Sequence, residues 1–121
     1  MDRRGSFAYG SQDQGKRRGL QILWDGSWSS GDITVPNVRS YTMFLIYMAN
    51  RVSVIPAFYN ATDSTEYISG IGGRATSASA EYQYSFECTM DGNTLTMVHC
   101  HSHQGAGNRT AQTVSKIVGV F

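Results

Sequence analysis

Three histidines at alternate positions near the C-terminal end are the residues whose type and spacing best suit chemistry. They lie in Leu95-Thr-Met-Val-His-Cys-His-Ser-His103, and in an extended strand His99, His101 and His103 would stand about 7 Å apart on one face. Imidazole binds first-row metals, and two His at i and i+2 can converge on one ion. A cupin-type site follows its His-x-His with a Glu four or five residues on and then with a distant His. Here positions 105 and 106 are Gly and Ala, and neither a carboxylate nor a further His comes later. A site within one chain is therefore short of donors. The metal reading that survives brings copies of His99, His101 or His103 from three chains to a threefold axis. Against it stands a plainer reading, in which His99 packs at the end of an apolar face while His101 and His103 are solvated. No other cofactor is called for.

The row needs a strand to hold it. Ala80 to Glu87 alternates, with Tyr82, Tyr84 and Phe86 on one side and Glu81, Gln83, Ser85 and Glu87 on the other, the period of a strand with one dry face. Asp91-Gly92-Asn93 supplies residues that accept a tight hairpin turn. Leu95 and Met97 begin the return strand, and the three histidines are expected to continue their face. This register sets Cys88 against Leu95 or Thr96 and Cys100 near Tyr84, too far apart for a bridge, so both cysteines read as packed thiols.

The remaining elements follow in order. Leu20, Ile22 and Trp24 should share a face of one strand, Asp25 to Gly31 is dense in turn formers, and Asp32 to Val35 should return as its hairpin partner. Tyr41 to Met48 is apolar on both parities, as in a central strand buried on both faces. Pro56 implies an edge or a bulge. Glu66 to Ile71 reads as a short strand ended by Gly72-Gly73, and Val114 to Phe121 as a closing strand whose Ile117 and Phe121 seal the core. Together these give an all-β fold, an antiparallel β-sandwich of jelly-roll type with about seven or eight strands. Residues 20–121 form that domain and residues 1–19 an extended basic arm.

Charge and composition narrow the functions. Only 16% of residues are charged and the formal net charge is +1, which gives no global pull toward nucleic acid. No apolar run reaches the ~18 residues of a membrane helix, so no membrane partner is expected. Half of the cations, Arg3, Arg4, Lys16, Arg17 and Arg18, fall in the arm, where Phe7 and Tyr9 are the only aromatic residues. The arm reads as an assembly anchor that docks on another protein. No nucleophile elbow or phosphate-cradling glycine loop before a helix is present, and no enzymatic activity is expected. Trp28 and Tyr59, in turns, with Gln104, Asn108 and Arg109 of the glycine-rich loop, are candidates to touch a receptor or glycan.

The succession Leu23-Trp-Asp-Gly-Ser-Trp-Ser-Ser-Gly-Asp-Ile-Thr-Val-Pro-Asn37, Tyr41-Thr-Met-Phe-Leu-Ile46, Asp91-Gly-Asn-Thr-Leu95 and Val114-Ser-Lys-Ile-Val-Gly-Val-Phe121 resembles a module of minor structural proteins in tailed bacteriophages and prophages. The likeness covers roughly residues 20–121. It implies a virion protein of tail-fibre, receptor-binding or head-fibre type. Such a protein would be a homotrimer, anchored to other virion proteins by its arm and exposed for adhesion to a host-surface glycan or protein or for capsid decoration. A chain that starts with a short basic arm departs from the usual placement of such modules at the end of a longer fibre. Outside that family, the same features fit a carbohydrate-binding β-sandwich module of a non-viral protein, and more distantly a cupin-like metal protein.

Overall fold

In a computed structural model of the chain, the described residues are 19–49, 53–77, 80–104 and 109–121. The proposed arm residues Arg3, Arg4, Phe7, Tyr9, Lys16, Arg17 and Arg18, and the loop residue Asn108, lie outside them. Nine described strands form one antiparallel sheet: β1 (Leu20–Trp28), β2 (Asp32–Thr34), β3 (Met43–Met48), β4 (Val54–Thr62), β5 (Thr65–Ser77), β6 (Ala80–Asp91), β7 (Thr94–Gln104), β8 (Thr110–Ala111) and β9 (Val114–Val120). A short 3-10 turn spans Val38–Ser40. The all-β class is as the sequence implies.

Across the sheet the order is β1-β9-β3-β4-β5-β6-β7-β2, with β8 paired to β7 off that path. The two outermost strands, β1 and β2, are consecutive in the chain and joined by residues 29–31 alone, so the sheet must curl until its edges approach each other. A second link closes the same seam, since β8 lies on β7 and leads through Gln112 and Thr113 into β9 beside β1. Trp28 fills this seam. It is 2% exposed, donates its indole N–H to the Gly31 carbonyl at 3.1 Å, and meets Phe86 edge-on at 5.9 Å. β1 and β2 therefore do not form the expected hairpin. Asp25 to Trp28 continues β1 instead of turning, because the Trp28 side chain gains more by entering the core than a turn would give it.

The inside of the curl is packed by alternate residues: Phe44, Ile46 and Met48 of β3, Ile55 and Ala57 of β4, Ile68 of β5, Tyr84, Phe86, Cys88 and Met90 of β6, and Leu95 and Cys100 of β7, with Val114 and Ile117 of β9. The outer residues of β3, Met43, Leu45 and Tyr47, are only partly covered, so the strand expected to be buried on both faces is buried on one. Pro56 sits within β4, which is flanked by β3 and β5, and not at an edge. β5 also runs on through Gly70, Gly72 and Gly73, residues that read as breakers. The reason is close approach: a Cβ at Gly70 would lie 2.0 Å from the Pro56 carbonyl oxygen, and one at Gly72 2.5 Å from the Ile55 side chain. Glycine lets the sheet coil there without collision.

Among the sheet's register irregularities, two reset the facing of residues singled out in the sequence. In β1, Trp24 pairs with Ile117 but Ile22 pairs with Val118, so Leu23 is the extra residue. Leu20 and Ile22 consequently lie on the outside and Trp24 on the inside, against the expectation that all three share a face. Phe121 stays largely exposed at the sheet's end instead of sealing the core, though its ring lies 5.3 Å from that of Tyr41.

Candidate functional site

The second irregularity governs the histidines. Cys88 pairs with Met97 and Glu87 with His99, leaving Val98 as the extra residue of a β-bulge. Before it Leu95 faces the core; after it Cys100 and Ser102 do. His99, His101 and His103 are thereby on the outer face, opposite Leu95 and Met97, and do not continue their row. The turn register sets Cys88 opposite Met97 and the bulge sets Cys100 opposite Phe86, each one or two residues from the expected partner. Both cysteines are free and buried, and burial pushes their thiols up to about 12 and about 11. Cys100 donates toward the Met48 sulfur at 3.4 Å.

On the outside the imidazoles form a ladder. Ring centroids are 5.0 Å apart for His99 and His101 and 6.2 Å for His101 and His103, with tilts of 39° and 37°, so the rings lean over one another. His101 Nε2 accepts the Arg109 Nε–H at 3.1 Å and lies 3.0 Å from the Ser85 hydroxyl. A nitrogen that accepts from a guanidinium carries no proton, which makes His101 the Nδ1–H tautomer in this contact. Burial, then His99, Arg109 and His103, hold its pKa below the ordinary value. His99 Nδ1 is buried without a hydrogen-bond partner. Among the described residues no group of three or more His, Cys, Asp or Glu is placed to hold a metal ion.

A second constellation lies where β4, β5 and the 3-10 turn meet, and no local motif marks it. Arg39 Nη1 and Nη2 donate to the two Glu66 oxygens at 2.9 and 3.0 Å, and the Tyr59 hydroxyl donates to Glu66 Oε2 at 2.8 Å. Such a forked pair is directional as well as attractive. The Arg39 hydrogen bonds, then that of Tyr59, hold the Glu66 carboxyl well down, at about 2. Asn37 starts the 3-10 turn in the left-handed region at φ 66° and Tyr41 leaves it extended, which carries Arg39 across to Glu66. Beside this array is a shallow pocket of about 210 Å³ lined by Arg39, Tyr41, Thr42, Tyr59 and Met90. On the other flank of Tyr41 is one of about 330 Å³ lined by Gln21, Ile22, Leu23, Pro36, Asn37, Ser40, Tyr41 and Phe121.

The sequence-predicted contact residues are thus dispersed. Tyr59 stands in the Arg39–Glu66 array. Gln104 pairs opposite Tyr82, far along the β6–β7 ladder from the Asp91–Thr94 turn, while Glu66 pairs with Met90 close to that turn. Gln104 and Arg109 therefore belong to the opposite end of the sheet from Tyr59. Trp28 is in the core and cannot touch a receptor. Arg39, Glu66 and Tyr41 carry no pattern that singles them out in the sequence, because 27 residues separate the ion-pair partners. No family model, curated protein or solved structure matches the chain.

Proposed function

We propose that the chain is a structural and adhesion module of a phage particle, and that it recognises its target at the end of the sheet where Arg39, Tyr41, Tyr59 and Glu66 meet. The phage setting rests on the resemblance of residues 20–121. In that setting three copies assemble, residues 1–19 anchor them to other virion proteins, and no catalytic step is involved. The observation that carries the recognition end is the Arg39–Glu66–Tyr59 array beside two pockets that share Tyr41. Shallow pockets walled by aromatic rings suit the flat apolar faces of sugar rings. A carboxylate already fixed by three donors keeps acceptor capacity for a ligand hydroxyl at no further cost in side-chain ordering.

The test is a glycan array probed with the labelled full chain, followed by titration of any hit. Selective binding is expected, weakened at least tenfold by Tyr41→Ala and by Tyr59→Ala while far-UV circular dichroism is unchanged. An array without selective signal, or hits indifferent to both substitutions, overturns the assignment of this end. Mass spectrometry of purified particles tests the virion setting separately. Selective binding by a chain absent from particles would favour the non-viral carbohydrate-binding reading.

A further inference from the structure

The outside of the sheet is apolar over five adjacent strands. The pairing registers set Ile22 of β1 beside Val118 of β9, Val118 beside Leu45 of β3, and Leu45 beside Pro56 of β4. The next row sets Leu20, Val120, Met43 and Phe58 side by side, and Tyr47 pairs with Val54. Ile71 extends the face onto β5. These residues alternate with the buried ones, so they point away from the core. Ile22, Phe58 and Ile71 are 55%, 51% and 64% exposed. Val118 sits in the middle at 3% exposed yet stands outside the core cluster, covered by its neighbours on the outer surface.

We infer that this outer face of β1, β9, β3, β4 and β5 is the surface through which one copy of the chain packs on another. Scattered exposed apolar residues need no explanation, but a contiguous patch does. Ile22, Val54, Phe58 and Ile71 alone present on the order of 400 Å² of apolar surface, the size at which such patches mark interaction sites. Their partly exposed neighbours Leu20, Met43, Leu45, Tyr47 and Val120 enlarge the face toward the ~800 Å² per partner of a stable interface. No charged residue stands among the Ile22–Val118–Leu45–Pro56 and Leu20–Val120–Met43–Phe58 rows. The ionic groups beside them are Lys116 and Asp25, paired across β9 and β1, and Glu87, which pairs with Ser69 at the far side of the face, so the rim carries charges of both signs and a second copy can set unlike charges against each other. The Lys116 ammonium lies 5.1 Å from the Tyr47 ring centre, which draws it back over the patch edge. Residues 1–18 are the other possible cover. They hold five of the chain's ten cations and only Met1, Phe7 and Tyr9 as large apolar groups, a poor complement for an uncharged apolar face.

The inference adds a joining surface to the proposed assembly and is independent of any glycan. Multi-angle light scattering of the full chain over a hundredfold concentration range should give a multiple of the chain mass. Phe58→Glu/Ile71→Glu should give the monomer with an unchanged circular dichroism spectrum. Ile22→Lys, on an edge strand, serves if the double variant fails to fold, and should lower the association constant at least tenfold. A wild-type monomer throughout the range, whether its face is covered by residues 1–18 or bare, overturns the inference. So do folded variants that assemble as the wild type does. Glycan binding without assembly would refute this interface and leave the recognition end standing.

Discussion

At the scale of single residues, the Arg39–Glu66–Tyr59 array makes stability depend on acid. The folded carboxyl of Glu66 titrates at about 2 against an ordinary 4.5. Because the folded value is the lower one, the array's contribution is complete above about pH 4.5 and disappears as pH falls toward 2. Glu66→Gln should therefore lower the melting temperature at neutral pH, with the difference from wild type shrinking across that acid window. The gap should also narrow with added salt, because the pair is partly exposed. Thermal melts from pH 2 to 7 at two salt concentrations would show both trends, and a pH-independent gap would mean that the residue matters only for packing. None of this array was legible beforehand. Tyr59 reads in the sequence as a turn aromatic but stands in β4, and the Arg that orders it comes from a turn whose position depends on Asn37 taking a left-handed conformation. The histidines present the opposite case. Their spacing along one face was readable, while their side of the sheet was not, because the extra residue at the bulge is Val98, which an unbroken strand would also use.

At the scale of elements, β5 shows glycine acting as a fitting rather than a breaker. Gly70 faces the β4 backbone so closely that even a methyl group must displace Pro56 or Ala57. Gly70→Ala should cost about 1–3 kcal/mol, the range for overpacking, measured as a lower urea midpoint at constant m-value. A neutral effect would show that β4 and β5 can separate locally. The β6–β7 hairpin was the most readable part of the fold because its evidence is local: alternation on both arms and a Gly92 turn at φ 62°. The partners of β1 and β2 were unreadable for the converse reason. Turn formers between two short apolar runs imply a hairpin, but each strand pairs with one more than sixty residues away, and no local pattern encodes such a pairing.

At the scale of the whole molecule, the seam makes the curled sheet one cooperative unit. Trp28 meets Trp24 of its own strand edge-on at 6.2 Å and, across the inside of the curl, Phe86 of β6 edge-on at 5.9 Å. Trp28→Ala should cost about 3–5 kcal/mol, as for other buried aromatic truncations, and should bring forward amide exchange in β1 and β2 together. Loss of protection in β1 alone would indicate that the edges open independently. The order of strands has a further consequence for how the protein is made. β9, the last of the described strands in chain order, lies between β1 and β3, two of the first. Until Val120 emerges, both carry open edges with apolar side chains, the surfaces by which nascent chains join one another. A chain cut short before β9 would leave those two edges open and be prone to aggregate.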